Sequence, residues 1–254
     1  MVDDPLLARA RQVWRGLSGV AMDFPADGGV DVAASTGSLL CPPGWVGIVA
    51  LGDAAIVTAP TDNWAATVRE MLPGMPAESF TDVDRLRTVL PVAEVLGPAS
   101  LAYLDADDVR PAQLDTTEVV RGDQVDLATL LASATVDDAD ECGLAEIDSS
   151  PFVVRHGDQC VAAAGYRRWP ERVAHMCVLT AADHRGRGLA RAVASAAVTD
   201  ALAGGLLPQW RARPQPSRRV ARALGFRQLG TQLSVRLGEL GTLTVDGADP
   251  RATS

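Results

Sequence analysis

The chain has 254 residues, of which 47% are hydrophobic and 22% charged, the balance of a globular protein with length enough for two structural units. Its formal net charge is −9 and all 23 of its cationic side chains are arginine; the absence of lysine excludes Schiff-base, P-loop-lysine and kinase-type-lysine chemistry by this chain. No apolar run is long enough to span a bilayer, and Asp3-Asp4 occupy the place of a basic n-region. The four cysteines (Cys41, Cys142, Cys160, Cys177) show no CxxC spacing. A cytoplasmic protein with reduced thiols, no metal site and no membrane association is expected.

Charge is unevenly placed. Residues 1–150 carry 8 arginines against 25 acids, and residues 151–254 carry 15 arginines against 7. The basic part suits a phosphate-bearing ligand, or pairs with the acidic part across an interface. The acidic total argues against extended nucleic-acid binding.

In chain order, Leu6–Leu17 is patterned as an amphipathic helix, Val30–Ala34, Trp45–Leu51 and Ala54–Thr58 as strands, Asn63–Leu72 and Val83–Val89 as helices, and Ser100–Leu104 as a strand. Pro42-Pro43 and residues 60–62 punctuate them. Asp105–Asp108 resembles a metal motif but reads better as an exposed turn. Thr116–Arg121 follows as a strand, then short helices over Val125–Ala134 and Asp137–Leu144, the second with Asp137 or Asp138 as N-cap. Pro151–Arg155 and Gln159–Arg167 form a hairpin around His156-Gly157-Asp158, and Arg172–Thr180 is the next strand. A helix over Arg187–Ala203 closes at Gly204-Gly205, Leu207–Arg211 is a strand, and a helix over Ser217–Leu224 is capped by Ser217. Phe226–Leu229 and Gln232–Leu237 finish as a second hairpin.

The most informative segment is Arg185-Gly186-Arg187-Gly188-Leu189-Ala190, between an apolar strand and an Ala-rich helix. A helix start leaves backbone N–H groups unpaired and carries partial positive charge, and glycines let an anion approach that backbone closely. The segment lacks the Gly-Lys-Ser/Thr ending of a P-loop and the third glycine of a dinucleotide fingerprint. Alone, it could also be an ordinary turn or an Arg-Gly RNA-binding tract.

Arg185-x-x-Gly188-x-Ala190 resembles the Gln/Arg-x-x-Gly-x-Gly/Ala pyrophosphate loop of the GCN5-related N-acetyltransferase (GNAT) superfamily. The β-α-α-β-β-β-α-β-α-β-β order over 116–237 is similar to that fold, and Ser217-x-x-Val220-Ala221-x-x-Leu224-Gly225-Phe226 to its usual ending. Pro208-x-Trp210 is similar to a subgroup that includes zwittermicin-resistance-type acetyltransferases. The resemblance implies an α/β (α+β) GNAT domain over 116–238 with a mixed, mostly antiparallel sheet. Residues 1–115 stand as an α/β unit, a degenerate copy, acceptor-pocket wall or oligomer contact, and 239–254 as a tail.

It also implies acetyl-CoA as co-substrate and a primary amine of a small molecule or peptide as acceptor, with a homodimer left open. The pantetheine arm would lie along Val178, Leu179 and Thr180, with the Val178 N–H toward the acetyl oxygen. The pyrophosphate would sit on Arg185, Gly186, Arg187, Gly188, Leu189, Ala190 and Arg191. The tyrosine that many relatives carry four residues before the final Gly-Phe glycine is here Ala221. Ser217 is then the nearest hydroxyl, and a helix cap is its competing role. His175 is the first candidate base, Glu171 the second, and Glu141 and Glu146 the third or ligands for a cationic amine; His184 lines the loop. The missing tyrosine motivates an alternative, a non-catalytic CoA-binding sensor.

Overall fold

A computed structural model describes residues 4–72, 76–112 and 118–238. Local chemistry starts most of the helices. The Asp4 carboxylate accepts from the N–H groups of Leu6 and Leu7 and opens α1 (Pro5–Leu17), which buries Leu6, Ala10, Val13, Trp14 and Leu17 as one stripe. Strands β1 (Gly29–Ala34), β2 (Val46–Leu51) and β3 (Ala54–Ala59) follow. Thr61 caps α2 (Asp62–Met71) and Asp82 caps α3 (Val83–Val89). Then come β4 (Val92–Tyr103) and, past a short 3-10 turn at Ala106–Asp108, β5 (Val120–Arg121). Asp123 and Asp126 form a capping box on α4 (Gln124–Ala132), and α5 (Val136–Cys142) leads into β6 (Phe152–His156), β7 (Gln159–Trp169) and β8 (Val173–Thr180). Helix α6 (Leu189–Ala203), β9 (Leu207–Ala212), α7 (Gln215–Ala223) and β10 (Arg227–Leu237) complete the chain.

Five sequence expectations are corrected. Strand β4 begins at Val92 rather than Ser100. The α5 cap is the Thr135 hydroxyl, which accepts the Asp138 N–H at 3.2 Å, not Asp137 or Asp138. Helix α6 starts at Leu189, two positions after Arg187. Helix α7 starts at Gln215 behind Pro214, so Ser217 lies inside it. The final hairpin is one bulged strand, β10. Residues 116 and 117 of the Thr116–Arg121 strand, the boundary at 115 and the 239–254 tail lie outside the described residues.

All ten strands form one mixed sheet in the order β1-β3-β2-β10-β4-β9-β8-β7-β6-β5. The β1–β3 and β8–β9 pairs are parallel and the others antiparallel. Strand β10 pairs with both β2 and β4, and β4 pairs with β9, so strands from the two ends of the sequence alternate across the middle. One face carries α1 over Leu101, Tyr103, Val173 and Leu207, and α4 over Ala163, Cys177 and Leu179. The other carries α2 and α3 over Ile48, Val57 and Leu233, and α6 with α7 over Ala102, Met176 and Trp210. Among the described residues no helix is long and apolar enough to cross a membrane.

Gly230 shows how closely β10 is fitted, because a Cβ there would stand 1.9 Å from the Ala50 carbonyl oxygen of β2. Gly230→Ala must push the two strands apart. We expect a loss of about 3 kcal/mol or more of unfolding free energy, read by urea denaturation.

Candidate active site

The site is a gap in the sheet. Strands β8 and β9 pair only at Val173–Leu207, Ala174–Pro208 and His175–Gln209. Beyond that point β8 stays with β7 as far as Thr180, while β9 stays with β4 as far as Ala212. The Leu207 N–H donates to the Arg172 carbonyl at 2.8 Å, and the Ala181 N–H donates to the Val161 carbonyl at 2.9 Å. Backbone direction alternates along a strand, so the peptide groups of Val178 and Thr180 face the gap, where no strand meets them.

The gap widens into a cleft of about 470 Å³. Val178, Leu179 and Thr180 form one wall, Trp210 and Arg211 another, and Ser217, Arg219 and Val220 of α7 a third. Arg185, Gly186, Gly188, Leu189, Ala190 and Arg191 close one end. Gly186 and Gly188 have φ of 78° and 80°, a left-handed backbone that glycine adopts without strain. Gly188 is the N-cap of α6 and no side chain caps this helix. The Ala192 N–H donates to the Gly188 carbonyl at 3.1 Å, so the N–H groups of Leu189, Ala190 and Arg191 precede the first intrahelical bond and are free for an anion. Arg185 is fixed by the Thr180 carbonyl at 3.2 Å and Asp138 at 2.8 Å. Arg187 donates to the Asp183 carbonyl and is exposed outside the cleft lining. Buried polar atoms remain unpartnered here: Thr180 Oγ1, His184 Nδ1 and Arg191 Nε. Such atoms are uncommon in folded proteins and fit a polar ligand. A diphosphate with an amide-bearing tail matches both the helix start and the open strand edge.

A second pocket, of about 100 Å³, shares Glu141, Cys142, Met176 and Arg211 with the cleft and is also lined by His175 and Gln232. His175 Nδ1 is 2.9 Å from Gln209 Oε1, Gln209 Nε2 donates to the Tyr103 hydroxyl at 3.0 Å, and Trp14 Nε1 donates to the same hydroxyl at 2.6 Å. In this arrangement Nδ1 carries the imidazole hydrogen and Nε2 the lone pair. Trp169 stacks on the ring at 4.4 Å. Burial first, and then the Arg211 charge, depress the His175 pKa from 6.5 to about 4, so the ring is neutral near pH 7.

These elements belong largely to one stretch of chain. Residues 151–231 match the GNAT acetyltransferase family. Similar solved structures include a GCN5-related N-acetyltransferase from Kribbella flavida, at 20% identity over 56% of this chain and 58% of that one, TM-score 0.44. A GNAT-family acetyltransferase from Colwellia psychrerythraea is 13% identical over 71% of this chain and 75% of that one, TM-score 0.47. A GCN5-related N-acetyltransferase-like protein from Streptococcus suis 89/1591 is 20% identical over 76% and 84%, TM-score 0.46. The chain spans 58% of the Kribbella protein and 65% of a GNAT-family protein from Novosphingobium aromaticivorans DSM 12444. No curated protein matches it.

The GNAT-matching segment holds β6 to β9, α6, α7 and the start of β10, and therefore all of residues 185–191. Of the proton-handling candidates, His175 lines the smaller pocket and Ser217 the cleft. The Ser217 oxygen accepts from Trp210 Nε1 at 2.9 Å, which corrects its expected helix-cap role. Glu171 is not brought to the site. It sits in the turn between β7 and β8, at the far end of β8, and accepts from Gln12 of α1 at 3.3 Å. Glu141 lines both pockets and is paired with Arg213 at 2.8 Å; Glu146 pairs with Arg167 and lines neither. Ala221 is buried against α6 and Trp210.

Sequence reasoning missed Gln209, Arg211, Tyr103 and Trp14. Gln209 stands inside Pro208-x-Trp210, and the two-residue strand period puts it on one face with Arg211, a usable signal. Nothing in the sequence links Trp14 or Tyr103 to it.

A depressed histidine pKa makes stability depend on pH. Between about pH 6.5 and pH 4 the unfolded chain binds a proton at residue 175 that the folded chain refuses, so this contribution is complete above pH 6.5 and falls as pH drops. His175→Gln should remove up to about 3 kcal/mol of that decline. Denaturant melts of both proteins at pH 7 and pH 4.5 measure the difference.

Tyr103→Phe should cost about 1–3 kcal/mol, because the N–H groups of Trp14 and Gln209 lose their acceptor in a buried place. Equal urea midpoints for variant and parent would contradict the relay.

Proposed function

We propose that this protein is an acetyl-CoA-dependent N-acetyltransferase acting on a primary amine of a small molecule or peptide. The observation that carries the reading is the cleft itself: a parallel strand pair that parts after His175–Gln209, opening onto an uncapped helix start with two left-handed glycines. The match of residues 151–231 supports it independently. Position within the zwittermicin-resistance-type subgroup rests on Pro208-x-Trp210 alone.

Acetyl-CoA would supply the acetyl thioester. The N–H groups of Leu189, Ala190 and Arg191 and the Arg185 guanidinium would hold its diphosphate. The open Val178 carbonyl and Thr180 N–H would bind the pantetheine amides, and the Val178 N–H can donate to the thioester oxygen as negative charge grows there. The acceptor must lose a proton before it attacks. His175 is neutral, and its Nε2 lone pair can take that proton directly or through water. Burial, the larger cause of the low imidazole pKa, and then the Arg211 charge also disfavour a bound ammonium, which raises the share of neutral amine. Ser217 has its oxygen engaged by Trp210 and its hydrogen free to donate, which suits it to the leaving sulfur in place of the absent tyrosine. A CoA sensor without catalysis, suggested by Ala221, is less well supported because neutral imidazole and hydroxyl both line the two pockets.

Free-thiol release from acetyl-CoA with an amine panel tests the reaction. Gly188→Val tests the loop: a β-branched residue at φ 80° is strained and covers the helix start. Wild type should gain about 2.7 kcal/mol of stability at a CoA concentration 100 times Kd, and the variant essentially none. Normal CoA binding by Gly188→Val would overturn the cleft assignment.

A further inference from the structure

The smaller pocket says something about the acceptor. Its charged walls are Arg211, Arg213, Glu141 and Asp140, with neutral His175 beside them. Glu141 and Arg213 satisfy each other. Arg211 has no acidic partner among the described residues. Its Nη1 donates to Gln232 Oε1 at 3.1 Å, and Gln232 Nε2 donates to the Leu40 carbonyl at 2.6 Å. Gln232 is buried, so this bond orients the guanidinium from beneath and leaves its other N–H groups for the pocket. Desolvation lowers the Arg211 pKa and the Glu141 charge across the pocket raises it; the residue is exposed, and no carboxylate forms an ion pair with it among the described residues. Asp140, exposed at the pocket edge, is the one lining acid that forms no ion pair among the described residues.

An arginine whose fork is oriented at a pocket wall and engaged in no ion pair is open to an anionic ligand. We infer that the acceptor carries a carboxylate close to its amine, and that Arg211, oriented by Gln232, binds this carboxylate and so selects amino-acid-like acceptors over neutral or purely cationic amines. Arginine suits the task because its planar fork matches a carboxylate with two parallel hydrogen bonds. Arg211 also borders the cofactor cleft, so a carboxylate held there leaves an amine one or two carbons away at the shared boundary formed with Met176 and Cys142. The pocket volume limits the acceptor to a small head group.

This inference rests on the transferase reading for its meaning but not for its test. The probes are the twenty amino acids and β-alanine, each against its carboxamide. Two readouts are taken: acetyl transfer from acetyl-CoA, and saturation-transfer NMR binding to the CoA-loaded protein. Wild type should prefer acids over the matched amides, and Arg211→Gln should lower that preference about 30-fold, through KM for the acceptor rather than kcat. Gln232→Leu, which removes the orienting bond and leaves the charge, should lower it by a smaller factor. Cooperative thermal unfolding of each variant checks that it is folded. Equal use of acids and amides by wild type, or a preference unmoved by Arg211→Gln, would overturn the inference while the transferase stands. Arg211-dependent binding of carboxylates with no acetyl transfer to any amine would support the inference and overturn the transferase reading.

Discussion

The parting of β8 from β9 is the constraint on which the site depends. Each strand is tied on its outer side: β8 to β7 along its whole length, β9 to β4 from Tyr103 to Ser100. Those antiparallel ladders diverge, and the parallel pairing between them lasts three residues. The cost is a set of peptide groups with no strand partner, which a protein interior does not tolerate unless water or a ligand meets them. Placing them on the wall of an open cleft meets the first condition, and a ligand with its own amides meets the second. The same divergence leaves room for the α6 start to face the gap end-on, so the positive pole of that helix and the open strand edge line one cleft.

The two ends of the chain cooperate in shaping the acceptor side. Residues matched to the GNAT family contribute His175, Gln209 and Arg211, but their orientation comes from outside that segment: Trp14 and Tyr103 through Gln209, and the Leu40 carbonyl through Gln232. Both chains of hydrogen bonds are buried, and a buried polar network fixes one geometry because every alternative leaves a donor or acceptor unmet. This gives Trp14, Leu40 and Tyr103 a physical part as supports beneath the smaller pocket. Strand β4 runs between β9 and β10, and this places Tyr103 beside Gln209, its paired neighbour in register.

How much of this could be read from the sequence follows from the range of each interaction. Elements fixed by local periodicity and caps were legible: α1, α3 and the β6–β7 hairpin match within a residue or two. The glycine-bearing loop before α6 was legible too, because glycine before a helix start is a local signal with a chemical reason. Errors arose where a local sign had a tertiary cause. Gly230 looks like a hairpin turn, yet it is glycine because the Ala50 carbonyl lies against it. Ser217 looks like an N-cap, yet Pro214 precedes the first turn and Trp210 takes the hydroxyl. Glu171 is close to His175 in sequence, but four residues along a strand carry it away from the gap and into the turn beside Gln12. The relay through Tyr103 joins residues 89 and 106 positions apart, and no periodicity encodes such a pairing.

The complete use of arginine bears on the chemistry as well. In the proposed reaction, a lysine at position 211 would present an amine, nucleophilic when deprotonated, beside the thioester. It would compete with the acceptor for the acetyl group and, once acetylated, would no longer carry the charge that binds a carboxylate. Arginine stays protonated in the same surroundings and does not attack, so it can hold an anion next to a reactive acyl donor without consuming it. The genome-level cause of an arginine-only composition is separate from this consequence. The cleft is walled by Arg185, Arg191, Arg211 and Arg219 and, in a sequence without lysine, by no side-chain amine of the protein.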